Sequence, residues 1–112
     1  ATSMTTPQLI EWDENKRQAN IEKHGIDFAD LEAIFRGPII ERVDTRQNYG
    51  EIRVILVGTI DNIVLVVVYT WRGSVRRIIS ARRANNRERR TYYQSHPRTV
   101  GEVERQNRLE ES

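Results

Sequence analysis

Ile63-Val64-Leu65-Val66-Val67-Val68-Tyr69 is an unbroken apolar run without the alternation of a half-buried strand. A strand of this kind belongs at the centre of a sheet, covered on both faces and by helices on at least one of them. The run is far too short to span a bilayer, which takes about 20 residues. Working outward, residues 39–44, 51–60 and 75–83 are three further strand-like stretches rich in Val and Ile. Asp61-Asn62 is a two-residue hairpin loop of residue types that accept positive φ, and Arg72-Gly73-Ser74 reads as the three-residue loop of the next hairpin. The four runs predict an antiparallel meander.

Upstream, Ile10 and Trp12 flank Glu11, predicting a short edge strand ahead of a helix N-capped by Asp13. That helix should run to about His24, with Gly25 in the left-handed position after it. Asp27 caps a second helix, with Asp30 at its third position and Phe28, Leu31, Ile34 and Phe35 at helical spacing. Gly37, expected to take the reversed backbone angle, and Pro38 end it. Downstream, Ala84, Asn85 and Asn86 are start signals for a third helix over 84–94, closed by Pro97. The fold class is α+β: a meander preceded by two helices and followed by one, in a single domain over residues 9–96. Residues 1–8 are expected to be disordered, Ala1, Thr2 and Ser3 ahead of the single methionine Met4 reading as a tag or vector remnant. Residues 97–112, anchored only by Val100, Val103 and Leu109, are expected to be a weak helix or disordered.

The net charge of +2 conceals a polarised chain. Residues 72–90 carry eight arginines against one acid, Glu88, whereas residues 11–51 carry ten acids against six bases. Sixteen of the eighteen basic residues are arginine, whose planar fork suits bidentate contact with phosphate. An anionic polymer is the natural partner of such a segment, the alternative being a surface laced with ion pairs. The absence of cysteine excludes disulfides and thiolate metal sites and fits a reducing cytoplasm.

Lys16, Asn20, Lys23 and His24 fall at i, i+4, i+7 and i+8 of the first helix, along one stripe that presents cations and a proton carrier. The plain alternative is a solvated stripe with His24 answering the helix dipole. In the sheet, the hairpins set Arg53 near Thr70 and Tyr69 opposite Arg77. Alternation then places Arg53, Thr70 and Arg76 on one face and Tyr69, Arg77, Ile79 and Ala81 on the other, unless the register slips by one residue. Arginines amid β-branched strands are costly to bury unpaired, so Arg77 and Arg82 should either bind a ligand anion or pair with Glu88. The sequence has no His-x-x-x-His, paired Asp motif, Gly-rich phosphate loop or Gly-x-Ser-x-Gly elbow. A ribonuclease needs none of these. The 2′-hydroxyl of RNA is itself a nucleophile, and the protein has only to align the nucleotide, stabilise charge and move protons.

The ordered set Trp12-Asp13-x-x-Lys16-x-x-x-Asn20-x-x-Lys23-His24-Gly25-Ile26-x-Phe28, then Arg53 and Gly58, then Val66-Val67-Val68-Tyr69-Thr70, Arg72-Gly73, Arg77-Ile78-Ile79-Ser80-Ala81-Arg82-Arg83-Ala84, and finally Glu88 and Tyr92, resembles the BrnT family of ribonuclease toxins. The resemblance covers about residues 9–93. It implies a compact RelE-like fold, a ribonuclease toxin of a type II toxin–antitoxin pair that inhibits translation, and neutralisation by a BrnA-type antitoxin whose complex with the toxin binds operator DNA. Carried over by position, it points to Lys23, His24, Arg53, Arg77, Arg82, Glu88 and Tyr92 as catalytic candidates. In this reading Arg53, Arg77 and Arg82 face phosphate charge, His24 or Tyr92 transfers protons, and Lys23 places substrate. Lys16, Arg72, Arg76, Arg83 and Arg87 are expected to bind nucleic acid, with no cofactor, metal or membrane involved. Trp71 departs from the pattern and suits base stacking, a partner contact or plain packing. Two other classes stay open: a non-catalytic nucleic-acid-binding module, and a pure protein-interaction partner.

Overall fold

A computed structural model describes residues 9–96. The expectations for residues 1–8 and 97–112 lie outside the described residues. In chain order the elements are β1 (Ile10–Trp12), α1 (Glu14–His24), a 3₁₀ helix η1 (Phe28–Arg36), β2 (Ile40–Val43), β3 (Arg53–Ile60), β4 (Ile63–Arg72), β5 (Val75–Arg83) and α2 (Asn86–Ser95). The five strands form one sheet in the order β1-β5-β4-β3-β2, which puts β4 at its centre. The apolar run Ile63–Tyr69 is therefore the middle strand, and Val64 through Val67, Tyr69 and Thr70 are buried.

The sheet is mixed. β2 to β5 form the antiparallel meander, but β1 pairs with β5 in parallel, Ile10 beside Arg76 and Trp12 beside Ile78. The parallel pairing is possible because α1, η1 and the meander intervene between the two strands, as a crossover requires. Asp61 and Asn62 both take positive φ, the conformation the tight hairpin needs. The next hairpin is tighter than expected: Arg72 pairs with Val75, leaving a two-residue loop.

One sheet face carries Val54, Leu56, Leu65, Val67, Tyr69, Ile78 and Ala81 into the core, where they meet Phe28, Leu31 and Ile34 of η1. The second helix is 3₁₀ rather than α. Three residues per turn line up Phe28, Leu31 and Ile34 on one edge, and all three are fully buried. Gly37, at φ −107°, is extended rather than reversed, so the chain turns at this point without the left-handed cap. Gly25 does take that cap, at φ 69°, its N–H donating to the carbonyl of Ile21. α1 buries only Asn20. The side-chain amide of Asn20 donates to the carbonyl of Ala81 (2.9 Å) and accepts from its N–H (3.1 Å), and it donates again to the carbonyl of Ile26 (2.9 Å). It thereby pairs the outer edge of β5 beyond the end of β1, in the position a strand neighbour would take.

The opposite sheet face is covered in part by α2. Asn85 caps this helix in a reciprocal capping box with Glu88, and the buried Tyr92 donates its hydroxyl to the carbonyl of Pro38 at 2.7 Å. No helix among the described residues is long and apolar enough to cross a membrane.

Candidate functional site

Between α2 and the sheet lies a groove of about 510 Å³. Ile40, Ile55, Val57, Val66 and Val68 form its apolar floor, and Ser80, Thr91 and Tyr92 line it further. Four arginines rim it: Arg42 from β2, Arg46 from the loop after it, Arg82 from β5 and Arg87 from α2. The one carboxylate is Glu88, which receives both arms of Arg82 in a bidentate pair at 2.8 and 2.7 Å. Arg82, helped by the backbone N–H of Asn85, holds the Glu88 carboxyl down at about 2, and Glu88 in turn raises the Arg82 guanidinium. Of the two alternatives for Arg82, the structure shows the pair with Glu88. Phosphate presents the same bidentate acceptor geometry as this carboxylate.

Arg46 is fixed from below. The buried carboxylate of Asp44 accepts from its Nε (2.8 Å), its Nη2 (2.7 Å) and its backbone N–H (3.1 Å), and from the hydroxyl of Tyr49 (3.0 Å). These contacts hold the Asp44 carboxyl well below the usual range, with Arg46 the main cause. The Tyr49 ring lies 4.1 Å under the guanidinium of Arg53, so one short loop orients two arginines.

Beyond the groove on the same face, register aligns Arg53, Thr70, Arg77 and Glu11 in a row across β3, β4, β5 and β1. This corrects the facing read from sequence. The two-residue turn, with Arg72 beside Val75, sets Tyr69 opposite Ile78 and Thr70 opposite Arg77, and a bulge that leaves Ile79 without a partner shifts only the pairing beyond it, Val68 beside Ser80. Arg77 therefore shares a face with Arg53, while Arg76 moves to the core face with Tyr69. Arg77 pairs with Glu11 (3.2 Å) and not with Glu88. Arg53 and Arg72 both approach Glu51, at 3.3 and 3.7 Å. Arg76 stacks over Phe35 (4.3 Å) and Trp71 (4.5 Å) near Glu41 (3.9 Å), so Trp71 packs on an arginine while remaining 44% exposed. Arg83, opposite Leu65, is turned to the core face away from Arg82 and is exposed.

The stripe on α1 makes a separate, shallow cleft of about 240 Å³, where Lys16, Asn20, Lys23 and His24 meet Ile79 and Ser80. The catalytic candidates thus fall into three places. Arg82, Glu88 and Tyr92 share the groove with Arg87; Arg53 and Arg77 share the neighbouring row; Lys23 and His24 share the α1 cleft, which has Ser80 in common with the groove. Tyr92 reaches the groove with its hydroxyl already committed to Pro38. Sequence reasoning missed Arg42, Arg46, Asp44 and Tyr49. The alternation of Ile40 and Arg42 places them on one face, but only the β2–β3 pairing, Arg42 beside Ile55, brings that face to the groove.

An α+β fold with an arginine-rimmed, apolar-floored groove on its mixed five-stranded sheet is the class that the described residues define. Residues 12–88 match the family model of BrnT, the ribonuclease toxin of a type II toxin–antitoxin system, and the chain belongs to that family. Membership implies ribonuclease activity on RNA and a protein antitoxin as partner. Comparison with curated proteins gave no match.

Proposed function

We propose that the chain is a metal-independent endoribonuclease with its cleavage site in the groove, on a RelE-like scaffold. The observation that carries this reading is the Arg82–Glu88 pair set among Arg42, Arg46 and Arg87 over an apolar floor. A nucleotide laid on the floor exposes its phosphate to the rim, and Arg82 turns from Glu88 to the phosphate. Its charge and those of Arg42 and Arg46 stabilise the extra negative charge of the pentacoordinate phosphorus. The 2′-oxygen attacks phosphorus and the 5′-oxygen leaves. Glu88, released from its partner and so more basic, accepts the 2′-hydroxyl proton, and the 5′-oxygen takes a proton from solvent. The products carry a 2′,3′-cyclic phosphate and a free 5′-hydroxyl. Support for metal independence comes from the side chains: among the described residues no three His, Cys, Asp or Glu side chains gather as ligands.

In the cell this activity cuts RNA in the cytoplasm and stops translation until a BrnA-type antitoxin binds, the joint complex occupying operator DNA. The absence of cysteine supports the cytoplasmic setting.

The test is cleavage of total RNA by the partner-free protein in excess EDTA. The wild type should cut, leaving cyclic-phosphate ends and sparing an oligonucleotide with a 2′-deoxy residue at the cut. Folded Arg82→Ala should be inactive. Cleavage that requires added Mg²⁺, or that survives Arg82→Ala, would refute the reading. A second reading, a module that binds RNA without cutting it, is favoured by the engagement of both proton carriers in the groove, Glu88 with Arg82 and Tyr92 with Pro38. It predicts intact RNA in every lane and affinity that falls with each arginine removed.

A further inference from the structure

We infer that RNA leaves the groove over the solvent face of α2, where Arg87 and Arg90 hold the phosphates flanking the scissile one, rather than along the row Arg53–Thr70–Arg77. The inference rests on the groove being the RNA site. Both exits are rich in arginine, and they differ in what already neutralises it. In the row, Arg53 and Arg72 approach Glu51 and Arg77 approaches Glu11, all within 3.7 Å. On α2, neither Arg87 nor Arg90 has a carboxylate within 4.0 Å among the described residues. The only acid of this helix, Glu88, faces the groove and is taken by Arg82. A phosphate entering the row must displace carboxylates, whereas one crossing α2 meets uncompensated charge.

Helix geometry makes the exit continuous. At about 100° per residue, Arg87 and Thr91 stand on the groove-facing side with Glu88 and Tyr92 beyond them, and Arg90 lies about 60° round the axis from Arg87 on the outer side. Gln94 extends the same strip. Arg87, Arg90 and Gln94 are all exposed. Neighbours at i, i+3 are about 5–6 Å apart at Cβ, within the reach of two guanidiniums holding neighbouring phosphates of one strand. Arg89 lies on the far side of the helix and is tied to Asn86. The ligand class is the phosphodiester flank of single-stranded RNA, outside the nucleotides that fill the groove.

Binding of uncleavable 2′-O-methyl RNA, followed by fluorescence anisotropy across a salt series, tests this with a trinucleotide and a twelve-nucleotide strand. Arg90→Glu, and Arg90→Gln as the milder change, should weaken the longer strand about five- to tenfold and lower its salt slope by about one. Both should leave the trinucleotide unchanged. Arg77→Gln should leave the longer strand within about twofold. Arg82→Gln should weaken both strands. If Arg90 variants match the wild type on the longer strand while Arg82→Gln weakens both, the exit over α2 is overturned and the groove stands. If Arg77→Gln alone weakens the longer strand, RNA follows the row. If Arg82→Gln affects neither strand, the groove itself is not the RNA site and the exit falls with it.

Discussion

At Gly58 a single methyl group decides whether η1 can lie on the sheet. A Cβ at this position would stand 2.8 Å from Cγ1 of Ile34 and 2.9 Å from Cγ2 of Ile39, closer than packed carbons approach. Both neighbours are side chains packed in or against the core, so Gly58→Ala should cost about 1–3 kcal/mol by overpacking. Urea unfolding should show a lower midpoint at unchanged slope, and an unchanged midpoint would contradict the packing described. Glu88 makes a different kind of prediction. Its carboxyl titrates at about 2 in the fold against an ordinary 4.5, because Arg82 favours the ionised form. The stabilisation is therefore whole above about pH 4.5 and drains away as the pH falls toward 2. Glu88→Gln keeps a side chain suited to the capping box but has no charge to lose. Its unfolding free energy should fall less steeply than that of the wild type across this window. Asp27, held near 2 by Arg17, titrates in both proteins and cancels in the comparison.

Among the elements, the strands were the most legible part of the sequence, because Val and Ile runs punctuated by Asp61-Asn62 and Gly73 state their own limits. α1 was legible at both ends through Asp13 and Gly25, but not in its purpose. Asn20 looked like one member of a polar stripe, and only the position of Ala81, 61 residues away, shows that its amide completes the edge of β5. Asn20→Leu should strand the N–H and carbonyl of Ala81 and cost about 1–3 kcal/mol. Amide hydrogen exchange at Ala81 should quicken well before exchange at Val67, and equal protection at both would remove the role given to Asn20. The facing of Arg76 and Arg77 was not legible, since Arg72-Gly73-Ser74 reads as a three-residue loop as readily as Gly73-Ser74 reads as a two-residue one. That one-residue difference in loop length exchanges the two arginines between faces. The candidate site was half legible: Arg82, Glu88, Arg87 and Tyr92 lie close in sequence and meet, whereas Arg42 and Arg46 join them only through the pairing of β2 with β3.

Taken as a whole, the molecule sorts its charge by partner. Arginines in the outer row and beside the core are answered by Glu11, Glu41 and Glu51, acids drawn from the first half of the chain. Around the groove, Arg82 and Arg46 are answered by one carboxylate each, and Arg42 and Arg87 have none within 4.0 Å among the described residues. The charge polarity of the sequence is thus partly cancelled by folding and partly left over, some of it beside the apolar floor and some over α2. The parallel seam between β1 and β5 carries a further consequence, for the order of events during synthesis. Glu11 finds Arg77 across 66 residues, and the groove draws on segments from Ile40 to Tyr92. A ribosome delivers the chain from its N-terminus, so β1 waits for β5, and the groove waits for α2. A growing chain therefore has no complete groove until nearly all of its described residues have emerged.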